Sequence, residues 1–112
     1  MSDRLTSRML ASALVRRAGQ QGGFATVMRK GDEVAGVIIL LCLERGVSCG
    51  LFERMPDYEE GGYRLVRCGP ESETDSVEAS QYLERRIKSD PDIWLIELDI
   101  AQPQRFAAET IC

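Results

Sequence analysis

The sequence contains no histidine, and this absence narrows the chemistry open to the protein. Without an imidazole, the chain lacks the usual base of a nucleophilic triad and the usual proton shuttle near neutral pH. Any catalysis would depend on Asp, Glu, Lys, Tyr or Cys side chains, and no catalytic, phosphate-binding or nucleic-acid signature is present in the sequence. The sequence leaves enzymatic activity undecided and favours a noncatalytic protein.

Cysteines are few and lack the short paired spacing that zinc sites use. The four residues are Cys42, Cys49, Cys68 and Cys112. We therefore expect no metal and no cofactor. A two-residue turn at Arg45 and Gly46 would place Cys42 directly opposite Cys49, which leaves a disulfide open, although a reducing compartment favours small buried thiols.

Long apolar runs are also absent. The longest, from Val37 to Leu43, falls far short of the ~20 residues that a membrane span needs. The Ser- and Arg-rich N-terminus has no apolar segment followed by a small-residue cleavage site, so we expect a cytoplasmic protein that is not bound to a membrane. The net charge of −4 makes nucleic acid an unlikely partner, with a patch of basic residues as the weaker alternative. That patch would contain Arg16, Arg17, Arg29 and Lys30.

The 112 residues predict one α+β domain with a single, mainly antiparallel sheet of about five strands and two principal helices. The first helix is expected over about 4–18, with Leu5, Met9, Leu10, Ala13 and Leu14 on its apolar side. A hairpin-rich sheet is expected over about 24–68, a second helix over about 75–88 and a final strand over about 92–100. Asp75 and Glu78 resemble a capping box, and the predicted buried stripe of that helix is Val77, Ser80, Leu83 and Ile87.

The predicted strands have distinct places in the sheet. Val34 to Leu43 is apolar on both faces, as in a central strand, and Gly31 with Asp32 predicts a hairpin turn before it. Gly50 predicts a bulge or a close backbone approach. The strand from Tyr63 to Cys68 suits an edge. The last strand has one fully apolar side, made of Trp94, Ile96, Leu98 and Ile100, and beyond Pro103 the tail is either a short helical turn or frayed.

The sequence resembles the alphaproteobacterial family known as domain of unknown function 1491. The residues that carry the resemblance are Arg29, Lys30, Gly31, Asp32, Ala35 and Gly36 with the apolar strand after them, and then Tyr82, Leu83, Arg86, Asp90, Pro91, Asp92, Trp94 and Glu97. They span most of the chain in the same order; Glu53 to Gly62 and the tail after Ile100 match less clearly. The resemblance implies a short, single-domain, cytoplasmic bacterial protein and no particular activity.

Four residues are the candidates for binding a ligand or partner: Arg85, Arg86, Asp92 and Trp94. Guanidinium groups form bidentate hydrogen bonds with carboxylates or phosphates, and tryptophan often contributes strongly to the binding of ligands and partners. The structural interpretations are that Arg85 and Arg86 belong to a solvated helix end, that Asp92 helps to end the helix, and that Trp94 is a core residue. We expect a noncatalytic protein-interaction module that binds an unknown protein partner or a second copy through an uncovered sheet face or the basic helix end. The alternative is a small-molecule or anion site near Arg86, Asp92 and Trp94, as in a binding protein or an enzyme.

Overall fold

The computed structural model of the chain describes residues 5–112. Eight elements follow one another: α1 (Ser7–Gln20), β1 (Phe24–Arg29), β2 (Ile38–Glu44), β3 (Val47–Pro56), β4 (Tyr63–Cys68), α2 (Val77–Ser89), β5 (Trp94–Asp99) and α3 (Pro103–Ile111). The α+β class with one sheet of five strands is confirmed.

The sheet is mixed rather than mainly antiparallel, with strand order β1-β5-β2-β3-β4. The two short hairpins β2–β3 and β3–β4 are antiparallel, as expected. β5, however, pairs parallel with β2 on one side and antiparallel with β1 on the other. The predicted hairpin turn at Gly31 and Asp32 is therefore wrong, because β1 does not pair with β2.

β2 lies at the centre of the sheet and is covered on both faces, as its sequence predicts. Ile38, Leu40 and Cys42 pack toward α1 and α3, whereas Ile39 and Leu41 pack toward α2. β4 is one edge and β1 is the other. Helices on both faces of the sheet explain why β2 can be apolar throughout.

There are three helices in the described part of the chain, not two. The tail forms α3, in which Pro103 occupies the first turn and Phe106, Ala107 and Ile111 are buried. Proline suits this position because its missing N–H is not needed there. The sequence left the tail between a turn and a frayed end because α3 is short, and most of its stability comes from packing on α1 and the sheet.

Both long helices begin at hydroxyl caps. The Thr6 side chain accepts a hydrogen bond from the Met9 N–H, and the Ser76 side chain accepts one from the Ala79 N–H. Ser76 rather than Asp75 is thus the N-cap of α2. The buried side of the helix differs from the predicted one. Val77 is exposed, and Ala79 replaces it in the core beside Leu83. The predicted start of the first helix at residue 4 lies outside the described residues.

The β2–β3 hairpin contains the bulge that Gly50 predicts. Gly50 has φ +111 and the pairing register shifts at this point, so Cys42 faces Gly50 instead of Cys49. All four cysteines are free. The expected opposition of Cys42 and Cys49 is wrong because one extra residue on β3 displaces every later pair.

Candidate interaction surface

The loop between β1 and β2 is fastened to the start of β5. The Asp32 N–H donates to the carbonyl oxygen of Asp92, and the Trp94 indole Nε1 donates to the carbonyl oxygen of Asp32 at 2.7 Å. Gly31 and Gly36 lie so close to the Asp92 carbonyl that neither has room for a Cβ. These contacts form what we call the β1–β5 clasp, made of Gly31, Asp32, Gly36, Asp92 and Trp94.

The side chains of Asp32 and Arg29 hold the backbone around the clasp in place. Asp32 accepts the backbone N–H groups of Val34 and Ala35 through its side chain. The Arg29 guanidinium donates to the carbonyl oxygens of Pro91 and Ile93 at 2.8 and 2.7 Å. The clasp therefore shapes the backbone rather than presenting polar groups to a ligand.

Arg86 lies on the other side of the sheet, where it joins α2 to β3. Its Nη1 is 2.8 Å from the Glu53 Oε1 and also donates to the Tyr82 hydroxyl at 2.7 Å. The Glu53 carboxylate raises the pKa of Arg86, and burial raises the pKa values of Tyr82 and Cys68 beside it. The Arg86 side chain is 29% exposed and that of Glu53 15%, so this pair is a half-buried internal contact.

The four candidate residues do not converge on one site. Trp94 is 3% exposed and packs with the helices α1 and α3, whereas Arg86 lies on the α2 face. Arg85 and Asp92 are exposed, and Arg85 has no carboxylate within salt-bridge distance among residues 5–112. The sheet itself separates Arg86 from Trp94.

The edge strand β1 carries exposed apolar side chains. Phe24 is 71% exposed, Met28 56% and Val27 39%. Phe24 and Thr26 pair with Asp99 and Glu97, on the half of the sheet that α2 leaves open because it packs over β2 and β3 instead. The sequence predicted an uncovered sheet face without locating it, and its expected β1–β2 hairpin did not place β1 next to β5 at an edge of the sheet.

A second surface lies on the α1 side of β1. It is a groove of about 480 Å³, open to solvent, which we call the basic groove. Its lining includes the basic residues Arg8, Arg16 and Lys30 and the apolar residues Val15, Val27 and Trp94. Of the basic residues singled out in the sequence, Arg16 and Lys30 come together here. Arg17 instead donates to Thr110 next to α3, and Arg29 belongs to the clasp contacts.

The cysteines do not form a reactive centre. Burial raises the pKa of Cys42 to about 12 and also raises the pKa of Cys49, so both thiols stay protonated at neutral pH. Within residues 5–112, no group of three Cys, Asp or Glu side chains is arranged to hold a metal ion. In the same part of the chain, none of the helices is long and apolar enough to cross a membrane.

One five-stranded mixed sheet, with α2 on one face and α1 and α3 on the other, defines a small α+β protein. The chain belongs to the DUF1491 family, since the family model described as "Protein of unknown function (DUF1491)" matches residues 5–108. No curated protein matches the chain.

Three solved structures resemble the chain closely. The crystal structure of a DUF1491 family protein from Caulobacter crescentus CB15 is 33% identical with a TM-score of 0.70, covering 85% of this chain and 87% of that one. The NMR structure of a DUF1491 family protein from the same organism is 30% identical with a TM-score of 0.74, covering 94% of each chain. The solution structure of protein Atu0922 from A. tumefaciens is 32% identical with a TM-score of 0.66, covering 86% of each.

Proposed function

We propose that the protein is a noncatalytic interaction module of the bacterial cytoplasm that associates with a second copy of itself through β1. The observation that supports this most directly is an edge strand with exposed Phe24 and Met28 beside an uncovered half of the sheet. The bacterial sources of the solved relatives and the four free cysteines support the organism class and the reducing compartment.

The two sheet edges differ in how they are protected against pairing. β4 carries Arg64 and Arg67, and charged side chains on an edge discourage another strand from adding to it. β1 has no charge between Phe24 and Met28. Its protection is confined to the bulge before Arg29, so its first residues are the better template for a partner strand.

Antiparallel pairing of β1 with β1 of a second copy would give a symmetric interface, in which the same surface is used twice. A register centred on Thr26 places Phe24 of one copy opposite Met28 of the other. Sulfur–aromatic contacts of this kind are favourable. The two sheets would then form one continuous sheet of ten strands, with Phe24 covered in both copies.

The expected affinity is modest. Burying one Phe side chain is worth about 1.5–3 kcal/mol, so two copies of Phe24 contribute about 3–6 kcal/mol. Association costs an estimated 4–15 kcal/mol, which the strand hydrogen bonds and Met28 must help to offset. We therefore expect a dimer with a dissociation constant in the micromolar to millimolar range.

Sedimentation velocity tests this proposal. The sedimentation coefficient of the unaltered protein should rise with concentration, whereas Phe24→Lys and Met28→Lys should stay monomeric because they place charges at the pairing edge. Val47→Lys is the matched control, since Val47 is a strand residue that is 69% exposed and separated from β1 by β5 and β2. It should associate like the unaltered protein. A strictly monomeric unaltered protein, or equal loss of association in the control, would refute self-association through β1.

The alternative function, a small-molecule site shared by Arg86, Asp92 and Trp94, gains no support from the geometry. Arg86 and Trp94 face opposite sides of the sheet, and the Arg86 guanidinium already contacts Glu53 and Tyr82. Arg85 is exposed on α2 and lies on neither β1 nor the basic groove.

A further inference from the structure

Charge is distributed very unevenly along the chain. Residues 4–31 contain six Lys or Arg and no Asp or Glu, so the other residues contain eight Lys or Arg and all 18 Asp and Glu. The modest net charge of −4 therefore hides a basic N-terminal quarter attached to a strongly acidic remainder. Such asymmetry favours a local electrostatic contact that the overall charge does not reveal.

Some basic residues of the N-terminal segment are hydrogen-bonded within the fold, whereas others are exposed and free to contact a partner. Arg17 is hydrogen-bonded to Thr110, and Arg29 to backbone carbonyls at the start of β5. Arg8 and Arg16 are exposed, and none of the carboxylates in the described chain lies within salt-bridge distance of them. Arg8 and Arg16, the unpaired cations of the basic N-terminal segment within the described residues, thus both line the basic groove.

The spacing of the groove cations is set by α1. Arg8 and Arg16 are eight residues apart on one helix, which corresponds to about 12 Å along its axis. Val15, next to Arg16 on α1, and Val27 of β1 also line the groove, and both are partly exposed. Lys30 is a third lining cation, and its Nζ contacts the Glu33 Oε2 at 2.9 Å while much of its side chain stays exposed.

We propose that the basic groove binds an acidic amphipathic helix of a partner protein, a role separate from self-association through β1. Two carboxylates of such a helix, seven or eight residues apart, match the separation of Arg8 and Arg16. An apolar side chain between them would enter the groove over Val15 and Val27. This is the helix-in-groove mode of recognition, in which an apolar anchor gives affinity and flanking charges give orientation.

Two features favour a polypeptide over a small ligand. The groove is open along its outer side, so a small molecule would keep much of its surface in water, whereas enclosed sites bury most of a ligand. Arg8 and Arg16 leave α1 about 12 Å apart along its axis, a separation that two carboxylates on one helix match better than a compact anion does. A helix satisfies both ends of the groove at once.

Nucleic acid and membranes fit this surface less well. Single-stranded nucleic acid needs exposed aromatic rings for stacking, but Trp94 is 3% exposed and its indole N–H is held by Asp32. The acidic remainder of the chain would also repel an extended polyanion. A bilayer surface calls for a protruding apolar face, whereas Val15 and Val27 lie in a concave one.

The probe for the experiment is a synthetic labelled helical peptide with Glu residues seven or eight positions apart and Leu between them. Fluorescence anisotropy gives the affinity. The chain has one tryptophan, so its single indole N–H resonance reports occupation of the groove at Trp94. We expect saturable binding that weakens with added salt, together with a shift of the indole resonance.

Matched variants identify the groove as the site. Arg8→Glu with Arg16→Glu should weaken peptide binding about tenfold or more, because two attractions become repulsions. Arg85→Glu with Lys88→Glu makes the same change of charge on α2 and should leave the affinity unaltered. Val15→Asn keeps every cation and should weaken binding by reducing the apolar contact.

The proposal would be overturned if a peptide with Lys in place of Glu bound as tightly as the Glu peptide, or if the α2 control lost as much affinity as the Arg8 and Arg16 variant. It would also be overturned if the indole resonance did not shift on peptide binding, or if a single-stranded oligonucleotide or anionic vesicles bound more tightly than the peptide. Self-association through Phe24 is measured separately, so either proposal can fail alone.

Discussion

Replacement of Gly36 by alanine tests whether the β1–β5 clasp is as tight as its geometry indicates. A Cβ at Gly36 would overlap the carbonyl oxygen of Asp92 and would lie 2.9 Å from both the Asp32 carbonyl oxygen and the Trp94 Cδ1. Two of these three neighbours are backbone atoms, which cannot move aside as a flexible side chain can. The φ of Gly36 is not positive, so any cost comes from lack of space alone.

The expected destabilisation is large for one methyl group. Overpacking in a well-packed region costs about 1–3 kcal/mol, and contact with fixed backbone places Gly36→Ala at or above the upper end, about 3 kcal/mol. For a protein of this size, each kcal/mol lowers Tm by about 4 °C. We therefore expect a fall in Tm of about 12 °C, with the Trp94 environment changed in the near-UV circular dichroism spectrum.

Gly19→Ala is the control for this measurement. Gly19 lies within α1 and a Cβ there would meet nothing within 4 Å. Alanine should stabilise α1 by about 0.5–1 kcal/mol through its better helix propensity. Thermal and urea denaturation of both variants measure the difference. A Gly36→Ala protein as stable as the unaltered one would refute the close contact between the β1–β2 loop and β5.

Two further predictions concern Arg86 and Cys42. A double-mutant cycle of Arg86→Met and Glu53→Gln, measured by urea denaturation, should give a coupling free energy of about 1–3 kcal/mol because the pair is half-buried. The exposed Lys30–Glu33 pair should give less than about 1 kcal/mol. Similar coupling energies for the two pairs would contradict the role of Arg86 in joining α2 to β3. For Cys42, burial raises the pKa from 9.0 to about 12, so between these values the unfolded chain has lost a proton that the folded protein keeps. The free energy of unfolding should therefore fall as the pH rises above about 9. Urea denaturation of the unaltered protein and of Cys42→Ala across that pH range should show a smaller fall in the variant. An identical pH dependence in the two proteins would show that burial does not keep the Cys42 thiol protonated.

Local patterns predicted most of the elements but not how they are assembled. The apolar run of β2 identified a central strand, and the alternation from Trp94 to Ile100 identified a strand with one apolar face. In both cases the polarity of successive residues predicts which faces of the strand are buried. The position of β5 between β1 and β2 has no such local signal. It depends on contacts between residues sixty or more positions apart, such as Asp32 with Asp92.

Small shifts explain the finer errors. Capping by Ser76 in place of Asp75 starts α2 one residue later, which exposes Val77 and buries Ala79. The bulge at Gly50 displaces β3 by one residue and separates Cys42 from Cys49. In each case the sequence identified the right feature, and a shift of one residue altered which side chains face each other.

The candidate residues were grouped because they are close in sequence, and the fold separates two of them. Arg86, Asp92 and Trp94 are close in sequence, but the end of α2 and the start of β5 place Arg86 and Trp94 on opposite faces of the sheet. Proximity along the chain therefore overstated proximity in space. Phe24 and Arg8 were missed because their importance depends on the edge position of β1 and on the free flank of α1, neither of which a local pattern reports.

The residues that carry the family resemblance are used mainly inside the fold. Gly31, Asp32, Gly36, Asp92 and Trp94 form the β1–β5 clasp, and Arg86 joins α2 to β3. The clasp therefore determines how the sheet is assembled, with β1 as an edge strand next to β5. The exposed edge and the basic groove along it follow from that assembly. The contacts proposed at this edge depend on residues outside the clasp: Phe24 and Met28 of β1, and Arg8, Arg16 and Lys30 of the basic groove. Substitutions at these five positions should therefore change association without changing the fold.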